Sequence, residues 1–282
     1  MNAPTRPILR YHGGKWKLAP WVIEHFPPHR VYVEPFCGAA SVLAQKPRIN
    51  HEVINDLNGR LVNLFRLLRD PAASAKLVEL VYLTLYSDAE YRLATEPADD
   101  LLEDARRLLV LGGQAYSSCA AAGGSSGKLT TWRRRISERC SGPASTWADL
   151  PEVMLGWIDR LRGVNVENDD ALAVLKRWDA KDVLFYVDPP YLAATRNNKG
   201  RGYAHEMTDD QHCELAAVLH EAKGMVVLSG YHSALYDRLY KGWRQFETDG
   251  FADKGGKRTE VLWLNPAAER ALRAGAEQME MF

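Results

Sequence analysis

Apolar residues along this chain keep two rhythms. Short runs read as strands: Val31-Tyr32-Val33-Glu34-Pro35, Glu52-Val53-Ile54-Asn55, Val164-Asn165-Val166, Val183 to Val187, and Met225-Val226-Val227-Leu228. Glu260-Val261-Leu262-Trp263-Leu264 reads as a late antiparallel strand. Between them the spacing is helical, as at Leu61, Leu64, Phe65 and Leu68, and later at Leu215, Val218 and Leu219. Such alternation predicts an α/β protein, a Rossmann-like, mostly parallel sheet with helices on both faces.

The middle of the chain breaks the alternation. From Arg66 to Gly163 the pattern is helical with no convincing strand. Leu101, Ala105, Leu108, Leu109 and Leu111 mark one helix, and Met154, Trp157, Ile158 and Leu161 another. Between these two helices, Ala120 to Gly127 is loop by composition and leads into a basic run of Lys128, Arg133, Arg134, Arg135 and Arg139 around Trp132. The expected division is a sheet domain built from residues 1–65 and 164–282, with a helical insert at 66–163.

Composition narrows the picture in three ways. Lysine plus arginine equals aspartate plus glutamate, at 36 each, so any affinity for nucleic acid must come from a local patch. The cysteines, Cys37, Cys119, Cys140 and Cys213, are scattered and form no CxxC pair. That argues against a zinc site or a disulfide framework, and no metal is expected. Met1 to Arg10 lacks the apolar core of a secretory signal, and no uncharged stretch is long enough to span a membrane, so a cytoplasmic setting is expected.

The chemistry gathers at predicted strand ends. Val183 to Val187 stops at Asp188-Pro189-Pro190-Tyr191, which places a carboxylate and a stiff backbone carbonyl at the edge where open α/β sheets bind ligands. Two acceptors followed by an aromatic ring suit an exocyclic amine on a nucleobase. Glu34-Pro35-Phe36-Cys37-Gly38-Ala39-Ala40-Ser41 is a strand end, a tight turn and a helix start, read either as a nucleoside-binding loop or as ordinary packing. Asp56, just past the next strand, suits a ribose hydroxyl pair or the N-cap of the helix starting near Gly59. Asp170 ends a third strand, and either it or Asp169 is expected to be a helix cap. Tyr11-His12-Gly13-Gly14-Lys15 lacks the spacing of a phosphate-binding Walker loop; it is either a flexible turn or a backbone cradle with a cation.

Taken in this order, the Arg10–Lys15, Glu34–Ala40, Asp56–Asn58 and Asp188–Tyr191 segments resemble the Dam-type (D12 class, alpha group) adenine-N6 DNA methyltransferases. Tyr203-Ala204-His205-Glu206-Met207, Leu228-Ser229-Gly230-Tyr231 and Arg258 to Trp263 resemble the phage and prophage branch of that family. The resemblance implies a class I methyltransferase fold, S-adenosylmethionine as methyl donor, and transfer to N6 of a flipped adenine in double-stranded DNA; because that reaction needs only one active site, a monomer is expected. It implies that Tyr11, Gly13, Gly14 and Lys15 line the methionine end of the cofactor site, with Glu34, Pro35, Phe36 and Gly38 in the loop beneath. Asp56 would hold the ribose and Asp170 the adenine moiety. Asp188, Pro189, Pro190 and Tyr191 would be catalytic.

Lys128, Arg133, Arg134 and Arg135 are expected to contact DNA phosphate, or else to form a solvated face. His205 and Tyr231 are candidates for DNA contact or ordinary packing. The family's loop carries glycine where this chain has Ala40, which fits without crowding if its φ is negative. Two alternatives stand: a cytosine-N4 enzyme, disfavoured by Asp rather than Ser before Pro-Pro, and a non-catalytic DNA-binding relative, disfavoured by the intact Asp188 and Tyr191.

Overall fold

The computed structural model describes residues 4–118, 121, 131–134, 142–196, 202–251 and 257–280. The chain begins α1 (Ala19–Glu24), β1 (Val31–Glu34), α2 (Ser41–Gln45), β2 (His51–Asn55), α3 (Gly59–Arg69). Helices then follow one another: α4 (Pro71–Leu83), α5 (Asp88–Ala94), α6 (Leu101–Gln114), α7 (Pro143–Ala148) and α8 (Leu150–Arg160). Alternation resumes with β3 (Val164–Glu167), α9 (Ala171–Trp178), β4 (Val183–Val187), α10 (Asp209–Glu221), β5 (Met225–Gly230) and α11 (Ala234–Leu239). A hairpin of β6 (Arg244–Phe251) and β7 (Lys257–Leu264) precedes α12 (Pro266–Glu280).

Among the described residues the strands form one seven-stranded sheet in the order β3-β2-β1-β4-β5-β7-β6. The first five are parallel and the β7–β6 pair is antiparallel, as expected of Glu260–Leu264. This is the mixed α/β architecture that the alternation predicts. β1 lies between β2 and β4, so strands from the two halves of the chain meet there and open a crevice at their C-terminal ends.

Every residue of β4 is buried, which explains its unbroken apolar run. Successive side chains feed opposite faces: Leu184 and Tyr186 join Leu61, Phe65 and Trp157, while Val183, Phe185 and Val187 join Leu215, Tyr236 and Trp263. The first of these cores is shared by the sheet and the helical middle. α3 runs across position 66 and packs on α4, α6 and α8. β6 had no strand signal in the sequence. It is an edge strand whose Gln245, Glu247 and Asp249 are exposed, so its pattern is mostly polar.

A buried ionic group ties α8 to the N-terminal half of the sheet. Arg160 donates to both oxygens of Glu52, at 2.7 and 2.9 Å, and to the Leu43 carbonyl at 3.0 Å. Lys46 donates to Glu52 at 2.7 Å and to the Pro47 carbonyl at 2.8 Å. Burial pushes the Glu52 carboxyl up, but these donors hold it below its ordinary range.

Candidate active site

The loops at the C-terminal ends of β1, β2, β3 and β4 meet the Tyr11–Lys15 turn around one cavity of about 440 Å³. In that turn the Gly14 amide donates to the Tyr11 carbonyl at 3.1 Å. Gly13 has φ +74°, and a Cβ there would lie 2.1 Å from the Tyr203 hydroxyl. Glycine is therefore required twice over, for its backbone angle and for the close approach of a segment distant in sequence. Tyr11, Gly13, Gly14 and Lys15 all line the cavity.

At the end of β1 and just past it, Glu34, Pro35, Phe36 and Gly38 also line it. The Glu34 carboxyl is buried, accepts the Tyr32 hydroxyl at 3.1 Å, and is pushed up to about 8 by burial, with nearby Asp188 adding to the rise. The loop then turns through two left-handed residues, Gly38 at φ +48° and Ala40 at φ +49°. The condition for an unstrained Ala40, a negative φ, is not met. The fully buried alanine takes a conformation that costs a non-glycine residue roughly 1–2 kcal/mol, and it opens α2 from there.

Asp56 and Asp170 reach the same cavity. Asp56 does not cap α3; Asn58 does, accepting from the Arg60 amide at 3.2 Å. Asp56 instead takes the Gly38 and Asn58 amides, both at 2.9 Å, and so joins the β1 and β2 loops. Burial pushes its carboxyl up, and those amides and His205 oppose the shift. Asp170 is the cap of α9, accepting from Leu172 and Ala173 at 3.0 and 3.1 Å, while Asp169 pairs with Arg177 outside. Asn55, with no role expected from sequence, staples these loops together: its amide group bonds the Pro35 carbonyl and both backbone groups of Asp169.

Asp188 and Pro190 line the cavity beside Glu34. Asp188 Oδ1 is buried and ion-paired with Lys15, 3.0 Å from its Nζ, and has no well-aligned hydrogen bond among the described residues. Burial pushes the Asp188 carboxyl up against the pull of Lys15, and Lys15 stays cationic beside it. Tyr191 is turned inward. Its hydroxyl meets Ser229 Oγ at 2.7 Å and donates to Glu260 Oε2 at 3.0 Å. Lys15 Nζ sits 4.6 Å above its ring centroid, and Tyr231 meets it edge-on with ring centroids 4.6 Å apart.

This constellation can be compared with known proteins. The family described as D12 class N6 adenine-specific DNA methyltransferases matches residues 11–109 and 151–250, most of the chain and every segment of the site except Glu260. The chain belongs to that family. It is also similar to the Type II methyltransferase M1.LlaDCHI of Lactococcus lactis subsp. cremoris, with 23% identity over 92% of this chain and 95% of the relative. A 64-residue stretch is 36% identical to a DNA adenine methylase of Vibrio cholerae serotype O1, covering 23% of each.

As a D12-class adenine methyltransferase, the protein acts on DNA; Arg133 and Arg134, the described members of its basic run, do not line the cavity. The Arg133 amide donates to the Gln114 carbonyl and the Tyr116 amide to the Thr131 carbonyl, both at 2.8 Å, forming a short antiparallel stem around the Ala115–Trp132 bridge. Arg134 lies over the Trp132 ring, which packs on Tyr86. Lys128 and Arg135 lie outside the described residues.

His205 lines the cavity and acts on Asp56, whereas Tyr231 packs on Tyr191. Tyr203, Glu260, Ser229 and Asn55 are site residues that the motifs left without roles. Only the packing of distant loops and strands reveals them. Among the described residues no group of three or more His, Cys, Asp or Glu could hold a metal, and no helix is long and apolar enough to cross a membrane.

Proposed function

We propose that this adenine methyltransferase binds S-adenosylmethionine in the cavity and modifies N6 of an adenine flipped out of double-stranded DNA. The observation that carries the reading is the placement of Asp188. Asp188, whose buried Oδ1 is ion-paired with Lys15 but has no well-aligned hydrogen bond among the described residues, lines the cavity together with every expected cofactor residue. The volume of about 440 Å³ suits a nucleoside-sized ligand, and ionised Asp56 keeps acceptor capacity beyond its two amide bonds. Lys15 and the Gly13-Gly14 turn would hold the methionine end, Phe36 and Gly38 the floor, Asp56 the ribose and Asp170 the adenine moiety. When bound, the cofactor supplies an electrophilic methyl sulfonium.

The amine of adenine is a poor nucleophile because its lone pair is delocalised into the ring. The Asp188 carboxylate and the Pro189 carbonyl each accept one N6 hydrogen, which favours a tetrahedral nitrogen with a free lone pair. Acceptors placed for that geometry stabilise the transition state more than the ground state. Fixed φ angles at Pro189 and Pro190 hold the carbonyl in place. Tyr191 stacks on the flipped base once Lys15 has left its ring face. Lys128, Arg133, Arg134 and Arg135 contact phosphate, so residues 66–163 deliver the target and binding weakens with salt. The chain works as a cytoplasmic monomer, and the Type II relative favours a modification role beside a restriction enzyme.

The test is transfer of labelled methyl groups to unmodified DNA, followed by mapping of modified bases. N6-methyladenine at a defined sequence is expected, and Asp188→Ala should bind S-adenosylmethionine without transferring its methyl group. Binding without transfer by the unaltered chain on every DNA tried would refute the proposed roles.

A further inference from the structure

Glu260 lies on β7 and lines no part of the cavity, yet it belongs to the same buried ionic group as Asp188 and Lys15. It is 8% exposed, and its Oε2 accepts the hydroxyl of Tyr191, the ring that carries the Lys15 ammonium. It acts electrostatically on both Lys15 and Asp188. Among the described residues, two carboxylates face one ammonium, a formal charge of minus one. Glu34, pushed up to about 8 by burial, is mostly neutral near pH 7 and adds little. Arg196, the cation beside Tyr203, is already bound by both oxygens of Glu206. A buried net charge is costly and is relieved when an opposite charge enters.

We propose that Glu260 supplies the surplus negative charge that makes this site select a cationic sulfonium over the uncharged thioether left after methyl loss. The inference rests on the cofactor reading above and gives it a direction. Attraction is strong before transfer and weaker after it, which favours exchange of spent ligand. Glu260 is thus a positioning residue, acting through Lys15, Tyr191 and its own field rather than by contact. A purely structural role would be to anchor the Tyr191 hydroxyl, which Ser229 shares at 2.7 Å. Two substitutions separate the roles. Glu260→Gln removes the charge but keeps an oxygen acceptor for Tyr191, whereas Ser229→Ala removes a hydroxyl partner and keeps the charge.

The experiment is titration calorimetry of the full chain with S-adenosylmethionine, with S-adenosylhomocysteine, and with sinefungin, in which a cationic amine replaces the sulfonium. The unaltered protein should prefer both cations. Glu260→Gln should lower that preference by roughly tenfold, the scale of one charge about 12 Å away at an effective dielectric constant of about 20, with little change for the thioether. Ser229→Ala and Glu260→Asp should retain the preference. Equal weakening of all three ligands in Glu260→Gln would overturn the proposal. So would an unaltered protein that binds the thioether as tightly as the cations, a result that needs no variant to fold. Failure of the cofactor reading itself would look different: the unaltered protein would bind none of the three.

Discussion

At the N-terminal ends of the strands, Glu52 takes hydrogen bonds from Lys46 and from two nitrogens of Arg160; at their C-terminal ends, Asp188 is ion-paired with Lys15 but has no well-aligned hydrogen bond to Oδ1 among the described residues. Both groups are buried and built from the same kinds of side chain. The first has two cations around one carboxylate and fastens α8 to the sheet. The second has one cation between two carboxylates and borders a cavity. A satisfied buried ion pair is a fastener, whereas one left short of partners beside a cavity is poised for something that arrives later.

That contrast can be broken by exchanging its members. Asp188→Ala should lower methyl transfer by at least about 10²–10³-fold, the cost of losing an aimed acceptor, while its urea midpoint moves little. Glu52→Ala should do the opposite. With Lys46 and Arg160 left uncompensated, stability should fall by about 3–5 kcal/mol, with transfer per folded molecule nearly unchanged. If urea unfolding shows Asp188→Ala to be the less stable of the two, the contrast is wrong.

A smaller effect tests the surroundings of Asp188. The folded protein raises the Glu34 carboxyl from 4.5 to about 8, so it holds a proton there that the unfolded chain has released. The associated stability is complete below about pH 4.5 and is lost as pH rises through about 8. Glu34→Gln cannot titrate, so its stability should decline less than that of the unaltered protein between about pH 5 and about pH 9. Parallel urea-derived curves would rule this out. Ala40→Gly should yield the smallest change, a gain of about 1 kcal/mol in thermal or urea unfolding, because glycine takes the left-handed angle without strain. A loss would mean that the buried methyl group packs well enough to offset the strain.

Most of the sheet was legible because buried parallel strands such as Val183–Val187 are continuously apolar. β6 was not, since an exposed edge strand carries no such signal. The residues that meet at the cavity were legible for a related reason. Each sits at or just past a strand end or in a glycine turn, and the parallel sheet brings all those ends to one side. Glu260 was hidden because its partner Tyr191 lies 69 positions away, and their meeting depends on the pairing of β5 with β7. Ala40 shows another limit: residue type alone told us that a methyl group was present, not that its backbone would be left-handed.

The strand order has a consequence for how the protein comes into being. β1 needs β4 as a neighbour, with Val31 set beside Val183, and Lys15 waits for Glu260. At about 5–20 residues per second, a ribosome takes roughly ten to fifty seconds between Lys15 and Glu260. During much of that time one edge of β1 lacks its partner. A chain halted before β7 would carry the Asp188-Pro189-Pro190-Tyr191 segment without the carboxylate that anchors its tyrosine. Catalytic competence therefore arrives late in synthesis, with the closing hairpin of the sheet.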